Sequence, residues 1–174
     1  MTARNPEPGE LCEMIENGDI DIAETMLEHG ADPNERGSGE SALHIAIICA
    51  DIEFIKLIVE KGADLEARNE YGQTPLIYAV RYNYDALDFL IEKGVALNTK
   101  DNDGNTALDW ATIIGVPEPI EKLKKAFELQ QQAAVKFARE AAEAEQKRIA
   151  ALRSTAAAKQ AALRKLCLKP MRLS

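Results

Sequence analysis

Through the first two-thirds of the chain, apolar residues come in short bursts at helical spacing, and each burst ends at a glycine. Ile52, Ile55, Leu57, Ile58 and Val59 form one burst, and Ala86, Leu87, Leu90 and Ile91 another. Recurrence at i, i+3 and i+4 predicts an amphipathic helix. Gly30, Gly62 and Gly94 follow the last apolar residues, where a left-handed C-terminal cap belongs. A second set of runs opens at Ser41, Thr74 and Thr106, whose hydroxyls suit an N-cap, and Pro75 takes a first-turn position where a missing N–H costs nothing. Polar stretches rich in Gly, Asn and Asp at 34–39, 68–72 and 100–104 carry the chemistry of tight turns or a protruding hairpin. The pattern predicts pairs of short helices joined by turns.

The pairs repeat. Leu27-Glu28-His29-Gly30-Ala31-Asp32-Pro33-Asn34 returns as Val59-Glu60-Lys61-Gly62-Ala63-Asp64-Leu65-Glu66 and as Ile91-Glu92-Lys93-Gly94-Val95-Ala96-Leu97-Asn98, with glycines 32 residues apart. A second motif interleaves with it: Gly39-Glu40-Ser41-Ala42-Leu43-His44-Ile45-Ala46, Gly72-Gln73-Thr74-Pro75-Leu76-Ile77-Tyr78-Ala79 and Gly104-Asn105-Thr106-Ala107-Leu108-Asp109-Trp110-Ala111. Its glycines are 33 and 32 apart. Two motifs whose phase holds within one residue mark a repeat array, in which no unit buries its apolar face alone and neighbours must stack.

These residues resemble the ankyrin repeat family, whose pattern is roughly G-x-T-P-L-H-x-A followed by a G-A-D-x-N turn. The resemblance covers about residues 8–124. Three units are clear, and an N-terminal fourth lacks the first motif but keeps Glu16-Asn17-Gly18-Asp19 and Leu27 through Asn34, as a cap with a polar face does. Ile77 and Asp109 replace the usual histidine, the 36–39 hairpin and the 82–85 inter-helix loop are each one residue short, and Pro117 and Pro119 fall at the start of the last unit's second helix, where a first turn tolerates proline. The resemblance implies an all-α ankyrin-repeat solenoid, with a helix-turn-helix and a β-hairpin or turn per repeat, followed by a long C-terminal helix. Its expected parts are a disordered 1–8, an array over 9–124 (units 9–36, 37–68, 69–101 and 102–124), a helical extension over 125–168 and a flexible 169–174.

The extension has a different composition. Between Pro119 and Pro170 there is neither Gly nor Pro, and residues 133–166 include thirteen alanines among Gln, Glu, Lys and Arg. All are strong helix formers. Glu143 and Lys147 have the favourable i, i+4 order. Leu123, Phe127 and Phe137 are candidates to pack on the last repeat; Ile149, Leu152, Ala156, Leu163 and Leu166 form a sparse heptad-like seam. A solvated helix, a helix docked on a partner or a second copy, and a helix on membrane or nucleic acid all remain open.

Charge sharpens this division. Residues 1–120 hold 24 acids and 8 bases, a net of −16. From Gln146 on there are eight bases and no acid: Lys147, Arg148, Arg153, Lys159, Arg164, Lys165, Lys169 and Arg172. An acidic body thus carries a basic tail, which admits folding of the tail onto its own array as an autoinhibitory state.

Candidate chemistry is sparse. The 174 residues include three cysteines, Cys12, Cys49 and Cys167, with no Cys-x-x-Cys, which argues against a disulfide framework or zinc finger and for a reducing compartment. The N-terminus lacks an apolar signal-peptide core, and no apolar run is long enough for a bilayer, so the expected location is cytoplasmic; translocation into a host cell is an alternative borrowed from bacterial ankyrin effectors. There is no phosphate-cradling loop, nucleophile elbow or His-Glu-x-x-His. No catalytic residue, metal ligand, cofactor or small-molecule substrate is expected. His44 reads as a bridge between neighbouring turns and His29 as a helix C-terminal partner. Cys12 and Cys49 read as small core fillers. No motif supports a reactive or lipidated Cys167.

Function is then expected in the surface, as a non-enzymatic module binding another protein. The resemblance implies hairpin tips and the exposed side of the first helices, which here are Arg36, Ser38 and Glu40; Arg68, Glu70, Tyr71 and Gln73; and Lys100, Asn102, Asp103 and Asn105. On the first helices the positions are Ile48, Arg81, Tyr82, Ile113 and Ile114. Tyr and Arg are common interface anchors, so Tyr71, Arg81 and Tyr82 beside Ile48 and Ile113 form the candidate cluster. Each Ile has inter-repeat core as its alternative, and Ile45, Tyr78 and Trp110 read as packing residues. The competing function places the work in the basic helix, through anionic membrane, nucleic acid or self-association.

Overall fold

The computed structural model of the chain describes residues 9–167, without the side chains of 157 and 161–167. It divides into two units, one ending at Phe127 and the other beginning at Glu128. The first holds four helix pairs. Helices α1 (Glu10–Asn17), α3 (Ala42–Cys49), α5 (Pro75–Tyr82) and α7 (Ala107–Ile114) stack in succession as an inner layer. The partners α2 (Ile20–Glu28), α4 (Ile52–Glu60) and α6 (Tyr84–Glu92) stack beside them, and α8 (Pro117–Cys167) supplies the last partner with its first turns.

The core is a sheet of side chains between these layers. Leu11, Ile15, Leu43, Ile47, Leu76 and Ile77 come from the inner helices, and Phe54, Ile55, Ile58, Leu87 and Leu90 from their partners. Helix α3 is apolar nearly all round, with Ala42 through Ile47 buried, because it meets α1, α4 and α5 at once. Leu123 and Ala126 of α8 close the core at its far end.

Helix ends follow cap chemistry. Ser41, Asp51 and Thr106 accept backbone N–H groups at their helix starts, and Thr106 forms a full capping box with Asp109. Thr74 occupies its N-cap position without a side-chain cap bond; Pro75 has already removed one N–H that needed a partner. Asn83 is the whole loop between α5 and α6. It ends one helix and caps the next through Ala86 N–H, and its Nδ2 donates to the Ile47 carbonyl at 3.3 Å. That double duty accounts for the short 82–85 connection.

One hairpin has paired strands among the described residues. Strands β1 (Arg36–Gly37) and β2 (Glu40–Ser41) run antiparallel across a two-residue turn, with Ser38 at φ 51° and Gly39 at φ 86°. Positive φ at both central residues matches strand twist and tightens the turn. At 68–72 and 100–104 the connections take the other expected form, tight turns without paired strands. Asn69 Oδ1 accepts the N–H groups of Tyr71 and Gln73, and Asp101 Oδ1 those of Asp103 and Asn105. A side-chain oxygen in each turn has taken donors that a strand ladder needs.

The prolines do not break α8, which starts at Pro117 and runs for 51 residues. Lys122 Nζ bonds Asp88 at 2.7 Å and Glu118 at 2.9 Å, tying the first turns to α6 and raising the ammonium pKa above the ordinary lysine value. Leu123 packs as expected and Phe127 is partly covered at 39% exposure, but Phe137 is 74% exposed, so Phe137 is not a packing residue. Glu143 pairs with Arg139 at 3.0 Å rather than with Lys147. The expected disordered 1–8 and flexible 169–174 lie outside the described residues.

Candidate partner-binding surface

Stacking places equivalent residues of α3, α5 and α7 in rows. Ile48, Arg81 and Ile113 are the seventh residues of these helices, and Cys49, Tyr82 and Ile114 the eighth. All six are exposed. The core alternative for the isoleucines therefore does not hold, and Cys49 is not a core filler: the last turn of α3 extends past the layers that bury Ile47. Partial burial, and after it the Glu16 carboxylate, still raise its thiol pKa. Cys12 is buried, and its pKa is pushed up to about 12 by burial, then by Glu35 and Glu16. A thiol so disfavoured as thiolate is inert at neutral pH.

Aromatic contacts hold the rows in place. The Arg81 guanidinium lies 4.9 Å from the Trp110 ring centroid and 5.2 Å from that of Tyr82. Tyr82 also meets Tyr78 at 5.4 Å, and Tyr78 meets His44 edge-on at 4.8 Å. Such contacts fix Arg81 and Tyr82 while leaving them open to solvent, which lowers the entropy lost when a partner covers them.

The turns contribute differently. Tyr71 is 66% exposed at its tip and Ile113 is 64% exposed on α7. Glu70, Lys100, Asn102 and Asp103 are exposed, Asn105 is half-buried, and Gln73 is buried, which removes its side chain from the accessible set. Arg68 and Asn102 are exposed but already engaged. Arg68 donates to the Lys100 carbonyl at 2.6 Å, as Arg36 does to that of Arg68 at 2.6 Å, and Asn102 Nδ2 donates to the Glu70 carbonyl at 3.0 Å. These residues brace neighbouring turns. Ser38 is exposed and Glu40 half-buried.

Behind the surface lies a polar support, in which the His44 bridge was expected from the sequence and the Glu40, Tyr78, Asp101 and Trp110 contacts were not. His44 Nε2–H donates to the Gln73 carbonyl at 3.0 Å while Nδ1 accepts from the Ser41 hydroxyl at 2.7 Å, so the neutral ring bridges two repeats. Burial lowers its pKa, against the opposing pull of Glu40 and the Gln73 carbonyl. Tyr78 Oη and Asn69 Nδ2 both donate to Glu40 Oε1. One repeat on, Trp110 Nε1 donates to Asp101 Oδ2 at 2.6 Å. Burial works to raise the Asp101 carboxyl pKa, but hydrogen bonds from Trp110, Asn105 and Asp103 outweigh it and leave it lowered. The signal was available: a turn-opening Asn or Asp stands nine residues before the aromatic in both units. His29 caps its helix, with Nδ1–H donating to the Thr25 carbonyl at 2.7 Å.

Among the described residues no group of three or more His, Cys, Asp or Glu side chains is arranged to hold a metal ion, and no helix is long and apolar enough to cross a membrane. Of the tail bases, Lys147, Arg148, Arg153 and Lys159 are exposed, with Arg148 3.9 Å from Glu145. The side chains of Arg164, Lys165, Lys169 and Arg172, and that of Cys167, lie outside the described residues.

The family model for ankyrin repeats, in three copies, matches residues 11–101 and 66–133. The chain belongs to the ankyrin repeat family. The match spans the stacked helix pairs and the first turns of α8. No curated protein matches the chain at a significant level. Ankyrin repeats are in general protein–protein interaction modules, and one architecture serves unrelated partners through differing surfaces.

Proposed function

We propose that this ankyrin array is a non-enzymatic scaffold, adaptor or inhibitor that grips a protein partner along the rows formed by α3, α5 and α7, with Tyr71 at the adjoining turn. The exposure of Ile48 and Ile113 in one row of stacked helices, with Tyr82 in the row beside it, carries this reading. Apolar surface aligned in this way is costly to leave in water and gains by being covered. Arg81, held between two rings, adds a charged donor at the centre, and a partner of basic or mixed charge suits an acidic body. The proposed array boundary is residue 124 and the proposed location cytoplasmic.

The test starts from a partner identified by affinity capture with the full chain and then purified. Tyr82→Ala with Ile113→Ala should weaken binary binding by about a hundredfold, as expected for two anchors of ~1–2 kcal/mol each, without shifting the melting temperature. An unchanged Kd overturns the surface assignment.

A second reading is favoured by the exposure of Lys147, Arg148, Arg153 and Lys159 on an acid-free stretch. In it the tail attaches the protein to anionic membrane, nucleic acid or another copy, or serves in translocation. Salt-sensitive binding to anionic vesicles or oligonucleotides that is lost in a charge-neutralised tail would support the first two.

A further inference from the structure

The described side chains of α8 from Glu128 to Gln160 are all exposed, yet they are not uniformly polar. Val135 is 69% exposed and Leu152 62% exposed, with Ile149 also open. Heptad positions bring these into one seam. Taking Val135 as a, the a positions are Glu128, Val135, Ala142, Ile149 and Ala156, and the d positions are Gln131, Ala138, Glu145, Leu152 and Lys159. The seam spans more than four heptads, long enough for a two-stranded coil. Three charged residues on it decide how a second strand can lie. A parallel, in-register copy stacks Glu128, Glu145 and Lys159 each on its own twin, burying like charges.

Antiparallel pairing in one register removes the conflicts at Glu128 and Lys159 and takes each Glu145 off its own twin. In an antiparallel coil an a residue faces a partner d residue, so Glu128 meets Lys159 at both ends of the seam. Moving inward, Gln131 then faces Ala156, Val135 faces Leu152, Ala138 faces Ile149 and Ala142 faces Glu145. Each large side chain has a small or apolar counterpart, the alternation that lets two helices approach closely. The two Glu145 carboxylates fall near the centre, where each already has Arg148 of its own helix at 3.9 Å. Shifting the pairing by two heptads toward the C-terminus loses the Glu128–Lys159 match and gathers Lys147, Arg148 and Arg153 of both copies at the middle. Leu129 and Phe137 lie off the seam.

We propose that residues 128–160 of α8 form an antiparallel two-stranded coil with the same segment of a second copy, in the register that sets Glu128 against Lys159. Self-association is thereby given a defined surface, distinct from the rows of the array and independent of what those rows bind. The opposed charges at the seam's ends favour a second copy over an anionic lipid or nucleic-acid surface, whose charge repels Glu128 and Glu145.

Sedimentation of the full chain over a concentration series should give twice the chain mass. Leu152→Lys should weaken the dimer by about a hundredfold or more, since a charge enters an apolar layer twice per dimer. Lys159→Glu should weaken it about tenfold by setting two like-charged pairs, and adding Glu128→Lys should restore it. Spin labels in a Cys49→Ser, Cys167→Ser background fix the orientation. Labels at Glu140→Cys should lie about 10 Å apart along the axis, and those at Ser154→Cys about 30 Å, at about 1.5 Å per residue. A single-chain mass at every concentration overturns the proposal, including one accompanied by binding to anionic vesicles. So do equal label separations at the two sites, or a charge swap that fails to rescue.

Discussion

The array up to Phe127 and the helix beyond it are both helical, but for opposite physical reasons. Each helix of the array has only eight or nine residues, too short to persist alone, and exists because it buries a face against two or three neighbours. From Glu128 to Gln160 no described side chain is buried, and helicity there rests on alanine-rich propensity and local pairs such as Arg139–Glu143. One region is written in long-range contacts at a 32-residue period, the other in its composition. Equal secondary structure therefore does not mean equal sensitivity to change.

The comparison is broken most severely by a core truncation. Phe54→Ala removes the largest fully buried side chain and should cost about 3–5 kcal/mol in urea unfolding. Phe137→Ala, at a ring open to solvent, should stay within about 0.5 kcal/mol on the same measurement. Comparable losses from both would mean that the Phe137 ring is covered in solution.

Next in size is His44→Ala, expected to cost about 1–3 kcal/mol because Ser41 and the Gln73 carbonyl lose a buried partner. The same residue predicts a pH dependence. Its pKa is lowered in the folded chain, so the folded state binds fewer protons than the unfolded one in the window below about pH 6.5. That contribution is complete above this value and is lost as pH falls through the lower folded value. Melting midpoints between pH 7.5 and 5 should fall less steeply in His44→Gln; parallel curves would remove His44 as the source of the pH dependence.

Smaller effects sharpen the contrast. Thr106→Ala breaks the capping box of α7 and should lower stability by about 1 kcal/mol in thermal unfolding. Lys122→Ala, which opens a partly exposed pair of salt bridges, should cost no more than about 1 kcal/mol. Ala150→Gly should reduce circular-dichroism helicity locally, at about 1 kcal/mol in propensity, and leave the array's melting midpoint where it was. A shifted midpoint would couple the two regions.

Much of this was legible before any coordinates. A phase held within one residue between the Gly30 and Gly39 motif families fixes unit length, and Ser41, Thr106 and Pro75 mark helix starts because capping is a local interaction. What escaped depends on neighbours more distant in sequence. Gln73 looks like a turn residue open to solvent, but the next repeat covers it. Cys49 sits in an apolar run, yet that run ends beyond the stack. The Glu40–Tyr78 bond spans 38 residues, and only the second polar residue nine positions before Trp110 would have exposed the rule. For the partner surface, position within the repeat located the rows, whereas the bracing by Arg68 and Asn102 could not be told from availability to a ligand.

The guanidinium braces all point one way along the chain. Arg36 reaches forward to the turn of Arg68, and Arg68 reaches forward to that of Lys100, like overlapping roof tiles. Asn34 and Glu66 lean in the same direction, receiving the N–H groups of Asp64 and Ala96. Lifting the last tile frees the Arg68 guanidinium, whose donors water must then satisfy, while lifting the first takes from its successor both a donor to the Arg68 carbonyl and the acceptor of the Asp64 N–H. The fold therefore has a grain, and a repeat inserted within it must carry both a hand to reach forward and a carbonyl to be held.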